Sequence, residues 1–208
     1  MKRYIFLTLT ALLVWVSCTQ APQAPQAETQ EAQPTTQPSS GKSLKIIPAE
    51  SKVKAIGTKV TGRHEIAFPI KQGEVSVAEE GCVIGGKVII DLKGLQVLDL
   101  TGDLKNKLES HLRSDDFFLV DKYPEGVFEI TGCEKTAKDT VFLSGNLTLR
   151  GQTKNIRFPA VLHVHENSLH AVANFNINRQ DWGIAYKGKA DDLIRDEVNL
   201  SLEIVARQ

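Results

Sequence analysis

No stretch of this sequence carries a glycine-rich phosphate loop, a dinucleotide fingerprint, a G-x-S-x-G elbow or an H-E-x-x-H zinc motif. That lowers the case for an enzyme. An excess of charge is missing too: 25 Lys and Arg balance 25 Asp and Glu, and no basic cluster rises above scattered pairs. A nucleic-acid partner is not expected from such a balance. Helical periodicity is nearly absent, with a single segment as the exception. Residues 19–43 contain no aromatic and no large aliphatic side chain. What remains is a leader, a polar stretch and a long run of alternating residues.

The leader is MKRYIFLTLTALLVWVSC. Lys2 and Arg3 precede an apolar run from Ile5 to Val16, broken only by Thr8 and Thr10. A basic start followed by about a dozen apolar residues has the dimensions of a secretory signal. It is short of the ~20 residues that a membrane-spanning helix needs. Ser17-Cys18 at its end is similar to a bacterial lipobox, with Trp15 departing from the smaller aliphatic usual there. The expectation is an exported protein with residues 1–17 removed and Cys18 lipidated, in the periplasm or outer envelope. A plain cleaved signal or an uncleaved anchor are the alternatives. From Thr19 to Ser43 Pro, Gln and Ala dominate. Such a composition cannot bury enough surface to offset the entropy of ordering, so residues 18–43 are expected to be an extended, disordered tether carrying the lipid anchor.

From Leu44 to Gln208 the dominant signal is alternation of period two. Val141, Leu143, Leu147 and Leu149 share one face against Ser144, Asn146, Thr148 and Arg150. Leu169, Ala171, Ala173, Phe175 and Ile177 oppose His170, Asn174, Asn176 and Asn178, while Val198, Leu200, Leu202 and Ile204 oppose Asn199, Ser201 and Glu203. Strands are predicted near 44–47, 51–60, 64–72, 82–92, 126–136, 140–150, 155–165, 169–178 and 196–206. Turn signals include Gly73, Gly81 and Gly151-Gln152. Short connections favour an antiparallel meander, and about eight strands can close into a barrel without exposed edges. The fold class is therefore all-β.

Helical spacing is confined to TGDLKNKLESHLRS. Leu104, Leu108 and Leu112 share one face, Asp103 and Arg113 suit the helix dipole, and Asn106, Glu109 and Ser110 are expected to meet water. The helix is expected to cover an open end of the barrel. His111, Asp115 and Asp116 follow at its exit. Helical phase would leave only one aspartate on the face of His111, so a turn is the favoured reading over a catalytic or metal cluster. His163 and His165 have strand ligand spacing but no third partner, and both should point outward. Cys82 and Cys133, near the ends of strands that could be neighbours, invite a disulfide in an exported protein.

Four stretches in order carry a resemblance: GTKVTGRH at 57–64, HLRSDDFF at 111–118 with Lys122-Tyr123-Pro124, GNLTLRGQTK at 145–154, and FNINRQDWGI at 175–184. Together they resemble the YceI-like family of exported, lipocalin-like polyisoprenoid-binding proteins, over essentially residues 44–208. The match departs in lacking a tryptophan before Gly57 and in having Glu65 after His64. The resemblance implies an eight-stranded extended barrel with a long apolar lumen, and helical structure near one mouth. It implies binding, transport or sequestration of a polyisoprenoid or similar apolar lipid, without catalysis; an isoprenoid quinone is a further candidate ligand and a homodimer a candidate assembly. Phe117, Phe118, Phe128, Phe175, Trp182 and Ile184 are the expected wall or mouth residues. Arg179, His111 or Lys187 are the expected contacts for a polar head. A chain burying roughly 500 Å² would gain about 12 kcal/mol before association costs. The competing reading is a packed barrel acting as a structural or interaction module.

Overall fold

The computed structural model describes residues 21–35, 41–137 and 139–208; the expected leader and Cys18 lie outside the described residues. In chain order the strands are β1 (Glu28–Glu31), β2 (Lys42–Ile46), β3 (Lys52–Lys59), β4 (Gly62–Ala67), β5 (Ile70–Val77), β6 (Val83–Asp91), β7 (Gln96–Val97), β8 (Glu125–Lys135), β9 (Thr140–Leu149), β10 (Gln152–His165), β11 (Ser168–Asn178), β12 (Gly188–Lys189) and β13 (Asp192–Arg207). One helix, α1 (Gly102–Arg113), and short 3-10 turns at Pro48–Glu50 and Arg179–Trp182 complete the described elements.

The strands form an antiparallel barrel of eight staves. Two staves are broken and six are continuous. The first is β2 with β3, interrupted at Pro48, which has no N–H to give to a ladder. Ser51 mends the break: its hydroxyl donates to the Ile47 carbonyl at 2.9 Å and accepts from the Val205 N–H at 3.0 Å. The second stave is β4 with β5. The strand expected over 64–72 is corrected here, because Pro69 splits it and the second half runs on to Val77. Gly73, read as a turn signal, lies inside β5; a Cβ there would fall 2.6 Å from the Ile46 side chain, so glycine permits close packing rather than a turn.

Staves β6, β8, β9, β10, β11 and β13 follow as a meander, each antiparallel to its predecessor. The long β13 then closes the barrel against the first stave, pairing Leu202 with Val53 and Ala206 with Ile46. Period two places Leu143, Leu147, Phe158, Phe175 and Ile177 on the inner face, all buried. Cys82 and Cys133 are bonded, with Cα atoms 5.9 Å apart. The register explains the pairing: Lys87 opposes Glu129, so the start of β6 meets the end of β8.

Helix α1 has the expected bounds but a shifted face. Leu112 is buried, whereas Leu104 is 65% exposed, because the first turn overhangs the barrel end. Glu109, expected in water, turns inward: its carboxylate accepts the Val97 N–H at 2.9 Å and faces Arg113 at 3.5 Å. The helix is thereby tied to β7 by a polar contact.

The tether expected to be disordered through Ser43 is corrected over residues 22–33. These residues are packed on the barrel. β1 pairs antiparallel with β10, Glu28 opposite Arg157 and Glu31 opposite Lys154. Ala27 is 4% exposed and joins the apolar core. Composition was a poor guide here because backbone hydrogen bonds to a ready-made strand edge need no large side chains.

Candidate functional site

Two cavities with no lining residue in common bear on function. One, about 190 Å³, is the lumen itself. Its walls are apolar side chains from all eight staves, with Arg179 as the single charged residue at its edge. Phe118, Phe128, Phe175, Trp182 and Ile184 line it, as does Arg179. Phe117 and His111 line the second cavity instead. The residues grouped by sequence as one wall or mouth are therefore divided between two spaces, and Lys187 lines neither.

Several lumen residues were not singled out from the sequence. Phe158 stacks on Phe175 with ring centroids 3.9 Å apart and planes 14° off parallel. Phe68 meets Phe118 edge-on at 5.5 Å. The alternation in β10 points Phe158 inward with Ile156 and Ala160, so period two was the usable signal for it. Phe68, by contrast, sits at the Pro69 break, where no period could place it. Phe128 lies across the backbone of Gly145; a Cβ there would stand 2.2 Å from its ring, so only glycine leaves the ring its place in the wall.

Arg179 does not present a free guanidinium to the lumen. It is 4% exposed and donates to the carbonyls of Arg195 at 3.0 Å, Ile184 at 2.5 Å and Ile194 at 3.4 Å, and to the Asp196 carboxylate at 2.9 Å. Burial pushes its pKa down, against the pull of Asp196. The expected head-group contact is therefore a clamp on the 184–196 segment. Trp182, fully buried, donates its indole N–H to the Leu147 carbonyl at 2.8 Å and closes the barrel floor beside it.

The second cavity, about 270 Å³, lies between the β3–β4 hairpin, α1 and the segment around Tyr186. Its wall is polar. His64 Nδ1 lies 2.8 Å from Asp99, whose other oxygen accepts the Glu65 N–H at 2.9 Å. His111 Nε2 lies 2.8 Å from Asp116, and its ring meets Phe117 and Tyr186 edge-on at 5.0 and 4.9 Å. The pairing of His111 with Asp116 corrects the helical-phase argument: α1 ends at Arg113, and the turn beyond it brings Asp116 back. Ser114 caps that exit by donating to the His111 carbonyl at 2.8 Å. Thr58 Oγ1, on the same wall, is the one buried side-chain polar atom among the described residues with no hydrogen-bond partner. Lys59 and Asp192 on this wall pair with each other.

Among the described residues no group of three or more His, Cys, Asp and Glu is placed to hold a metal. His163 and His165 are exposed on the outer face of β10, where the His163 ring faces that of His170 at 6.2 Å. Cys18 lies outside the described residues. Among the described residues no helix is long and apolar enough to cross a membrane.

The Asp99 carboxylate gives this end of the barrel a pH signature. Partial burial raises its pKa, but the Glu65 N–H and the His64 ring outweigh that and hold it below the ordinary 3.8. A carboxylate depressed on folding adds stability above its unfolded pKa, and that stability is lost as pH falls through the folded value. Asp99→Asn should thus lower the melting temperature at pH 5, and the gap from the parent should close progressively below pH 3.8. A gap constant across an acid titration followed by circular dichroism would contradict the assignment.

A family profile described as the YceI-like domain matches residues 44–206. A UPF0312 protein of Pseudomonas putida W619 is 30% identical over 108 residues, 48% of this chain and 54% of that protein. One from Azotobacter vinelandii is 46% identical over 48 residues, 23% of this chain and 25% of its own length. The matched stretches thus span at most about half of these relatives. Among solved structures, Burkholderia cenocepacia BcnA superposes with a TM-score of 0.66 at 17% identity, covering 77% of this chain and 98% of BcnA. A polyisoprenoid binding domain from Saccharophagus degradans, implicated in plant cell wall breakdown, gives 0.63 at 15% identity, covering 79% of this chain and 97% of that domain. At these identities the structural likeness establishes the fold.

Proposed function

The chain belongs to the YceI-like domain family, and from that footing we propose that it binds a long apolar lipid of the polyisoprenoid class, carrying or sequestering it in the cell envelope without chemical change. The observation that carries this reading is a barrel interior that is hollow rather than filled, and apolar along its length. A packed barrel serving as an interaction module would not need that space. The polyisoprenoid-binding domain of Saccharophagus degradans, which shares the fold, supports the ligand class. The two-cavity arrangement supports an amphiphile. A chain lies in the lumen, while a polar head such as a phosphate or quinone meets Thr58, His64, His111 and Tyr186 beyond it. Export and anchoring through Cys18 would put the barrel beside such lipids.

At about 190 Å³ the lumen is below the roughly 300–1,000 Å³ of pockets that enclose a drug-sized ligand. A long chain would therefore thread it and displace side chains. Native mass spectrometry of the protein released gently from envelope membranes should detect a co-purifying prenyl species. A barrel that emerges empty and refuses added prenyl alcohol would sink the proposal.

Ala173 and Ala160 face each other across the β11–β10 pair and both line the lumen. Ala173→Phe should remove about 100 Å² of chain contact, roughly 2.5 kcal/mol or about 70-fold in affinity. Val161→Phe, on the outer surface where Val161 is 36% exposed, is the control and should leave affinity unchanged. Titration of both variants with a fluorescent prenyl analogue checks this; equal affinities would place the ligand outside the lumen.

A further inference from the structure

The barrel wall has a slit, and a segment of the chain from outside the family domain fills it. β10 and β11 pair with each other only over Ala160–His165 and Ser168–Ala173. Below that the two strands part, although β10 stays bonded to β9 and β11 to β13 along their other edges. Residues 25–31 occupy the gap. Glu28–Glu31 pair with Arg157–Lys154 on the free edge of β10. On the free edge of β11 the Ala27 N–H donates to the Asn176 carbonyl at 2.8 Å, and the Asn176 N–H donates to the Pro25 carbonyl at 2.9 Å. Strands lie ~4.8 Å apart, so withdrawing one would leave an opening of about 10 Å. The lumen residues Ile156, Phe158, Phe175 and Ile177 stand on the two strands that border it.

The slit is built to hold a strand by its backbone. Asn146, 5% exposed, accepts the Gln33 N–H at 3.0 Å and donates to the Gln33 carbonyl at 2.6 Å. Asn155, 1% exposed, accepts from the Gln30 amide at 3.3 Å and donates to Asn146 at 3.0 Å. Asn176, 2% exposed, donates to the Pro22 carbonyl at 3.2 Å and accepts from Asn199 at 2.8 Å. These asparagines project from the polar faces of their strands, and the N-terminal segment is what covers them. The grip of that segment is otherwise slight. Ala27 is its one buried side chain, all four residues of β1 are exposed, and its ion pairs Glu28–Arg157 and Glu31–Lys154 sit at the surface.

We propose that the slit between β10 and β11 is a strand-acceptor site and that residues 22–33 are its exchangeable occupant, a lateral gate on the lumen. With the segment seated, the wall is continuous. With it withdrawn, an extended apolar chain can pass sideways into the barrel rather than thread from an end. The gate rests on the lipid-binding reading above; the acceptor site does not. The segment precedes residues 44–206, over which the family profile matches.

Two variants confined to the segment test this in the full chain. Ala27→Glu forces a charge into the wall, and Gln33→Pro removes the N–H that Asn146 accepts. Each should abolish hydrogen-exchange protection of the Ala27 and Asn176 amides. Each should also speed uptake of N-phenyl-1-naphthylamine by about tenfold, with the amount bound at equilibrium unchanged. A synthetic peptide PQAPQAETQEAQ, the sequence of residues 22–33, should bind the Ala27→Glu protein by fluorescence anisotropy and restore slow uptake. The same peptide with Glu in place of its second alanine, at Ala27, should do neither. Loss of amide protection with no change in uptake rate would overturn the gate. Failure of the peptide to bind either variant would overturn the acceptor site. If no form takes up the naphthylamine, the lipid-binding reading fails and the gate with it, while peptide binding would still uphold the acceptor site.

Discussion

Arg179→Leu is expected to destabilise the protein by roughly 2–4 kcal/mol, mainly the cost of taking a charged donor away from several carbonyl acceptors, since the half-exposed Asp196 keeps contact with water. The guanidinium reaches the carbonyls of Ile184, Ile194 and Arg195 together with the Asp196 carboxylate. Leucine would fill much of the volume yet supply none of those four hydrogen bonds, and donors lost from buried carbonyls are expensive. Arg179→Lys should recover only part of the loss, since an ammonium cannot match a fork that serves four acceptors at fixed angles. Urea denaturation of the three proteins measures this. Hydrogen exchange should show the loss concentrated in residues 184–196, which carry Ile184 into the lumen wall and Tyr186 and Ile194 into the second cavity. A loss under about 1 kcal/mol would mean that water replaces the guanidinium without penalty, and the clamp would be refuted.

The second large effect belongs to the Cys82–Cys133 disulfide. It closes a chain segment with a sequence separation of 51 residues, which contains β6, β7, α1 and most of β8. Loop entropy for a closure of that length is worth about 4 kcal/mol at 25 °C. The double variant Cys82→Ser, Cys133→Ser should lose about that much, seen as a lower urea midpoint. The bond ties the ends of two staves that already pair, so the native barrel should be little altered, and the effect should act mainly through the unfolded chain. Near-equality of the variant and the parent would show that the unfolded protein keeps those strands together without the bond.

Both effects bear on what the lumen needs. A hollow barrel forgoes the packing that a filled core supplies, because each void along its axis leaves wall atoms without neighbours. Stability then has to come from the wall and its closures. The Arg179 clamp, the disulfide, the Trp182 bond to Leu147 and the Ser51 splice at the broken first stave are all of that kind.

How far the site was legible depended on the kind of contact. Phe175 belongs to an alternating apolar set and does line the cavity, since alternation within one strand sets which side chains share a face; Phe128 and Ile184, expected from the family resemblance, line it too. Whether they touch a ligand is what the lumen variants test. Arg179 was named for its charge and chemistry, but its four acceptors come from residues 184–196, and nothing local reveals that they converge on it. His111 and Asp116 were judged on helical phase; they meet because the helix stops first. Alternation sets Asn146, Asn176 and Asn199 opposite the apolar faces of their strands. Their parity is right and their burial was missed, because what covers Asn146 and Asn176 is a distant part of the chain.

The sequence by itself determined the all-β class, the antiparallel meander, the alternating apolar faces, the single helix and the family, since each rests on patterns within about fifteen residues or on contiguous motifs. Tertiary structure alone decided that the lumen is hollow, that Arg179 is a clamp, and that Glu-Thr-Gln-Glu at 28–31 becomes a strand. That last case shows the physical reason most clearly. A segment with no apolar period carries no signal of its own; it is ordered by N–H and C=O groups on a strand edge about 125 residues away, as in the strand pairing of Gln30 with Asn155. Backbone donors and acceptors are the same at every residue, so which of them will find each other is written in the fold and not in the composition.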